Sequence, residues 1–240
     1  MGSEYTPALE VKGLRKEYKG FALEGMNLTI EKGKIMGLVG ENGAGKTTAM
    51  KAMLGIIRPD GGAVRILGKD FSSDDVELKN RIGVVLDEVN FYETMTAKQV
   101  GKVCAGVFSG WNEEIFQQNL GRMNVAMNKK IKDYSKGMRI KLSLAAAMSH
   151  GAELLILDEP TSGLDPVARE EILEEFKAFT GDGEGAILLS SHITSDLEKI
   201  ADDITFIHKG KTIFTKSREE LGRIGNIDDI MTEYVRGHRQ

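Results

Sequence analysis

The sequence predicts an α/β fold with a mostly parallel sheet, an antiparallel β region near its start and a helical insertion between two stretches of α/β alternation. Two observations predict it. The stretch Gly40-Glu41-Asn42-Gly43-Ala44-Gly45-Lys46-Thr47-Thr48 has the spacing G-x-x-x-x-G-K-[ST] and lies between an apolar run, 35–39, and a helix-compatible run, 49–54. Three apolar runs, 35–39, 154–157 and 186–189, are each followed at once by residues able to do chemistry. Strands buried on both faces have this composition, and open parallel sheets gather their functional groups at the carboxyl ends of the strands.

Each element has its own local reason. Residues 8–11 alternate apolar and polar, and short strand-like runs at 21–23 and 26–30 follow around glycine turns. Strand signals return at 63–67, behind the turn Pro59-Asp60-Gly61-Gly62, and again at 82–86. From about 96 to 128 the period changes to that of a helix: Val100, Val103, Val107, then Ile115, Phe116, Leu120 and Met123, broken near Gly110. Trp111, the only tryptophan, reads as a packing anchor there. Between the runs 154–157 and 186–189 lies a helix with Asp165 as N-cap, Pro166 at its first position and Gly181 as its stop. A last strand at 212–214 and a helix around 230–235 close the chain. The expected organisation is one domain: a core from about 8–95 and 150–215, a helical part at 96–149 and a tail at 216–240.

Composition narrows the function classes. With 32 Lys and Arg against 36 Asp and Glu, the 240-residue chain carries a formal charge of −4, a poor match to a nucleic-acid binder held by phosphate contacts. Its single cysteine, Cys104, excludes an internal disulfide framework and reads as packing. The N-terminus has Glu4 and no apolar core, and no run approaches the roughly 18–20 residues that span a bilayer. The expectation is a soluble, cytoplasmic chain whose membrane role, if it has one, comes through a partner.

The nine-residue loop has the P-loop pattern, and at average residue usage a chance match in a chain this long is on the order of 1%. Its glycines let successive N–H groups face a phosphate, and the helix that follows adds the positive end of its dipole. The residues expected to bind nucleotide here are Gly40, Asn42, Gly43, Gly45, Lys46, Thr47 and Thr48. Lys46 would reach the β and γ phosphates, and the Thr47 hydroxyl would ligate Mg²⁺. Asp158, after the apolar run 154–157, suits a hard cation. Glu159 is the candidate general base, and His192, after the third run, can organise the attacking water.

Taken in order, these motifs resemble the ATP-binding subunit of an ABC transporter over almost the whole chain. The P-loop, Leu154-Leu155-Ile156-Leu157-Asp158-Glu159, the D-loop Ser162-Gly163-Leu164-Asp165 and His192 fit that family, and Tyr134-Ser135-Lys136-Gly137-Met138 falls where it carries its signature. The resemblance implies that Tyr18 stacks on adenine. It also implies that Ser135, Gly137 and Asp165 act across a head-to-tail dimer closing on two ATP molecules, as a homodimer or with a related subunit. An integral membrane permease would be the partner and the inner face of the membrane the location. Two departures stand out: Lys136 and Met138 in the signature, a form resembling exporters of drugs or antimicrobial peptides, and Asp87 where the family usually has a metal-touching Gln. Asp87 is nonetheless carried as a candidate metal ligand. The alternatives are a soluble ATPase of cofactor assembly and a regulatory subunit with weak hydrolysis.

Overall fold

The computed structural model describes residues 6–86 and 91–237. The chain opens with a hairpin, β1 (Leu9–Tyr18) and β2 (Phe21–Ile30), then runs through β3 (Ile35–Val39) into α1 (Lys46–Met53). Next come β4 (Gly61–Ile66), β5 (Lys69–Asp70), the short α2 (Val76–Lys79) and β6 (Ile82–Val85). Helices α3 (Ala97–Val107), α4 (Glu113–Arg122) and α5 (Lys136–Ala147) follow with no strand between them among the described residues. Alternation resumes with β7 (Leu154–Asp158), α6 (Pro166–Thr180), β8 (Ala186–Ser191), α7 (Thr194–Ile200) and β9 (Asp203–His208). Strand β10 (Lys211–Ser217) and helices α8 (Arg218–Ile224) and α9 (Ile227–Gly237) come last.

The strands form two sheets. One is antiparallel, in the order β2-β1-β4-β5; the other runs β10-β9-β3-β8-β7-β6, with every neighbouring pair parallel except β10 with β9. The parallel strands divide their apolar residues by alternation. Leu155, Leu157, Ile187 and Leu189 face the core beneath the helical part, whereas Leu154, Ile156, Ala186 and Leu188 face a second core shared with α1 and the antiparallel sheet. That two-sided burial is why β7 and β8 are apolar almost throughout. Each fully buried Leu or Ile side chain contributes roughly 1.5–3 kcal/mol.

The helices begin where their sequences cap them. Thr96 and Gln99 form a reciprocal capping box at α3, and the side chains of Asn112, Ser135 and Asp165 accept N–H groups at the starts of α4, α5 and α6. Trp111 packs against Phe116 with ring centroids 4.9 Å apart. Five elements go beyond the sequence expectation: β5, α2, α7, α8 and, most important, β9. Strand β9 lies between β10 and β3, one strand in from the edge of the main sheet. Its apolar pattern is interrupted by Thr205, which is fully buried and shares a 2.8 Å hydrogen bond with the Thr215 hydroxyl. A polar side chain that finds its partner on the neighbouring strand is compatible with a core position, but sequence periodicity alone reads it as a break.

Candidate active site

Strands β3, β7 and β8 are neighbours and point the same way, so the residues that follow them reach one edge of the sheet. The loop after β3 turns tightly around the β9–β10 connection. A Cβ on Gly40 would lie 2.3 Å from the Ile207 carbonyl oxygen, and the Gly210 N–H donates to the Ala44 carbonyl at 2.9 Å. Gly43 and Gly45 take positive φ, 81° and 112°. A side chain on Gly43 would meet nothing within 4 Å, so the loop's backbone faces open space where a phosphate fits.

Lys46 is 6% exposed; its Nζ donates to the Gly40 carbonyl at 2.8 Å and lies 3.5 Å from Glu159 Oε1. Thr47 Oγ1 donates to Asp158 Oδ2 at 2.6 Å. Glu159 Oε2 accepts the His192 N–H at 3.2 Å and sits 2.5 Å from His192 Nδ1. The backbone of Glu159 is left-handed, φ 52°, a conformation that a non-glycine residue holds only when its surroundings impose it. Lys46, Thr47, Asp158, Glu159 and His192 thus form one connected cluster from three strand ends.

A cavity of about 630 Å³ opens over this cluster, lined among others by Asn42, Gly43, Gly45, Lys46, Thr47, Thr48, Asp158 and Glu159. The residues present suit a nucleotide with Mg²⁺. The loop amides and Lys46 suit phosphates, and Thr47 and Asp158 present hard oxygen donors. Among the described residues no group of three His, Cys, Asp or Glu could hold a metal unaided, so a cation here would rely on phosphate oxygens as well.

Several expected residues lie outside the cavity wall. Tyr18 is 48% exposed and does not line it; its cross-strand partner Phe21 does, with its ring tip 2.8 Å from where a Gly45 Cβ would sit. Gly40 and His192 do not line the cavity either. Ser135 and Gly137 start α5 elsewhere on the chain. Ser135 Oγ accepts the Met138 N–H at 3.2 Å, and a Cβ on Gly137 would lie 3.2 Å from Ala168 Cβ on α6. Asp165 caps α6 through Val167 and Ala168, and the Ala168 N–H foremost holds its carboxyl below the usual carboxylate range. The Asp87 position falls outside the described residues. Sequence reading missed Phe21, which carried no signal beyond being aromatic beside a turn. It also missed Ser190, whose signal was its place opposite Asp158 in the strand register.

A second groove, of about 460 Å³ and mostly apolar, runs between the β6 end and α3 and α5, lined by Val84, Leu86, Phe91, Cys104, Phe108 and His150 among others. Its floor is fixed by the Phe108–His150 stack (4.1 Å between centroids, 7° apart) and by a 2.9 Å bond from His150 Nδ1 to the Asn80 carbonyl. Burial pushes the His150 pKa below its ordinary value.

Comparison with known proteins gives the family and supports the fold. The family model described as ABC transporter matches residues 23–162. The chain is 36% identical over 216 residues to the bacitracin transport ATP-binding protein BcrA of Enterococcus faecalis, covering 89% of this chain and 70% of the relative. It is 36% identical over 230 residues to the lantibiotic transport ATP-binding protein SrtF of Streptococcus pyogenes, covering 95% and 97%. A solved ATP-binding subunit of an ABC transporter superposes with a TM-score of 0.84 at 26% identity, over 94% of this chain and 98% of that one. A dimeric ATP-binding cassette bound to ADP and Pi shares the fold, with a TM-score of 0.77 at 22% identity, over 88% and 98%. The chain belongs to the ABC transporter family, as an ATP-binding subunit.

Proposed function

We propose that this ATPase closes head-to-tail with a second ATP-binding subunit around two ATP molecules, and that the cycle drives export of an amphiphilic antimicrobial compound through a separate integral membrane permease. One observation carries the dimer. The helix start bearing Ser135 and Gly137 does not line the chain's own cavity, so the site takes its second phosphate-facing wall from another subunit. Asp165, beside that helix start, reaches the same interface. The export reading rests on the relatives, whose names are those of bacitracin and lantibiotic transport proteins.

Each residue then has a task. The loop amides and Lys46 hold the β and γ phosphates, Thr47 and Asp158 hold Mg²⁺, and Asp87 is a further oxygen ligand. Bound Mg²⁺ supplies charge neutralisation on the phosphates. Glu159 accepts the proton of the water that attacks the γ phosphorus, and His192 aims Glu159. Phe21, which lines the cavity, stacks on the adenine, and Tyr18, paired with it on the hairpin, stands beside it. No helix among the described residues is long and apolar enough to cross a membrane, and in this reading the path for cargo lies in the separate permease. The apolar groove beside Phe91 is the seat for a cytoplasmic helix of that chain, because exposed Val84 and Ile56 lie in its wall. Shifting a two-state permease from mostly one face to mostly the other takes about 5.5 kcal/mol of differential binding, the scale of work asked of the two ATP interfaces.

The test is ATP turnover per subunit as a function of protein concentration. A specific rate that climbs with concentration supports a site shared between copies of this chain. A flat, near-zero rate points to a different partner subunit or to a regulatory role. Co-purification with an integral membrane protein separates the transporter from a cofactor-assembly ATPase.

A further inference from the structure

We infer that Ser190 is a positioning residue for hydrolysis: its hydroxyl fixes the orientation of the Asp158 carboxylate and holds the Glu159 main chain in its left-handed conformation. The inference rests on the roles proposed for Asp158 and Glu159.

Asp158 is 2% exposed, and its two carboxylate oxygens face two different hydroxyls. Oδ2 accepts from Thr47 at 2.6 Å; Oδ1 accepts from Ser190 Oγ at 2.5 Å. With both oxygens tied, the carboxylate plane cannot rotate, and the Thr47 oxygen keeps its lone pairs turned away from its donated hydrogen, available to a cation. Ser190 is fully buried, so water has no access to replace its bond.

The same oxygen has a second task. Ser190 Oγ accepts the Glu159 N–H at 3.0 Å, and the Ser190 carbonyl shares that N–H at 3.2 Å. Glu159 is therefore pinned at its backbone by Ser190 and at its carboxylate by His192. Two-ended anchoring of this kind sustains a positive φ at a residue with a side chain, and it aims the carboxylate back over the P-loop lysine. The parallel register places Ser190 opposite Asp158. The next residue, Ser191, uses its hydroxyl differently, accepting the Ile193 N–H at 2.9 Å. Of the two adjacent serines, only Ser190 connects the candidate metal-holding and proton-accepting carboxylates.

The test compares the full-length wild type with Ser190→Ala, Ser190→Thr and Asp158→Asn. Calorimetry measures the affinity for adenylyl imidodiphosphate with Mg²⁺ and with EDTA, and steady-state assays give kcat and KM. In Ser190→Ala the Mg²⁺-dependent gain in affinity should shrink roughly tenfold, the scale of a lost hydrogen bond to a charged group. Binding in EDTA should stay within twofold, kcat should fall at least as far as the Mg²⁺-dependent gain, and Ser190→Thr should recover most of both. A full Mg²⁺-dependent gain in Ser190→Ala overturns the inference. So does an equal loss of EDTA binding, which marks a packing role, or a failure of a folded Ser190→Thr to recover either quantity. Asp158→Asn separates the two levels. If it retains the Mg²⁺-dependent gain, the metal role of Asp158 fails and the inference falls with it. If it loses the gain while Ser190→Ala keeps it, the role proposed for Ser190 alone fails.

Discussion

Replacing Glu159 with Gln keeps the shape of the side chain but removes its charge, which faces Lys46, and its ability to take a proton. The carboxylate accepts the His192 N–H at 3.2 Å and lies 3.5 Å from Lys46 Nζ, and the amide oxygen of Gln can keep either contact. Lys46 also retains its 2.8 Å bond to the Gly40 carbonyl. The phosphate-facing loop is therefore unaffected, and ATP affinity should stay within about threefold. An amide cannot serve as a base near neutral pH, so the loss falls on the chemical step. Removal of a positioned general base typically costs 10²–10⁴ in rate, which at about 1.36 kcal/mol per decade is roughly 2.7–5.4 kcal/mol of barrier. The assay is phosphate release at saturating MgATP, with nucleotide binding measured on the same preparation. Turnover above a third of wild type, with ATP binding intact, would refute the assignment of Glu159 as base.

Three further outcomes follow from the geometry. Phe21→Ala should weaken ATP binding by about fivefold or more, since base–aromatic stacking is worth about 1–3 kcal/mol and this ring lines the cavity; unchanged affinity by equilibrium titration would remove Phe21 from the site. His150 is held neutral by burial, its folded pKa lying below the ordinary value, whereas the unfolded chain protonates near pH 6.5. Its contribution to stability is thus complete above about pH 6.5 and is lost as the pH falls toward the folded pKa. Urea midpoints at pH 7.5 and 5.5 should differ more for wild type than for His150→Gln, and equal differences would contradict this. Burial pushes the Cys104 thiol up to about 11, leaving on the order of 10⁻³ of it as thiolate at pH 8. Ellman's reagent should react more than a hundredfold more slowly with the native protein than with the unfolded chain, and comparable rates would show that the α3 face opens readily.

Why some of this was legible in the sequence and some was not follows from how local each cause is. The P-loop announces itself because its needs are local: a strand, glycines where the backbone must turn, a lysine, a hydroxyl and a helix. Strands β7 and β8 were equally plain, because burial on both faces leaves an unbroken apolar run that few other contexts produce. Strand β9 has the same two-sided environment but carries Thr205 and His208, and the Thr205 hydroxyl finds its partner, Thr215, only once β9 pairs with β10, so apolar patterning alone did not show its membership in the sheet. The same holds at the site. Asp158 and Glu159 stand out by following an apolar run directly; Ser190 follows one too, but its tie to Asp158, 32 residues away, comes only from the parallel register, which local reasoning cannot supply. Tyr18 and Phe21 sit across one tight turn from each other, and only the three-dimensional path of the hairpin shows which of them reaches the cavity wall.

The two cavities share a wall, and that sharing bears on how hydrolysis reaches a partner. Ile56, just beyond α1, and Leu86, just beyond β6, line both the 630 Å³ cavity over the P-loop and the 460 Å³ apolar groove. Helix α1 begins at Lys46 itself, so a displacement of the phosphate-facing end is delivered to Ile56 by a rigid element of eight residues. Leu86 is the last described residue before Asp87, the position expected to touch Mg²⁺. In the proposed transporter, a displacement at the phosphates would reach two apolar side chains that a helix seated in the groove would touch. In the other direction, such a helix loads the residues that shape the nucleotide cavity. Coupling of this kind is reciprocal as a matter of thermodynamics: a partner that favours one arrangement of Ile56 and Leu86 must change ATP affinity by the same factor as ATP changes the partner's. The floor of the groove cannot absorb the motion freely, because Phe108 and His150 are stacked and His150 is tied to the Asn80 carbonyl. In the proposed transporter, the wall that Ile56 and Leu86 share would then be the route by which work done at one site appears at the other.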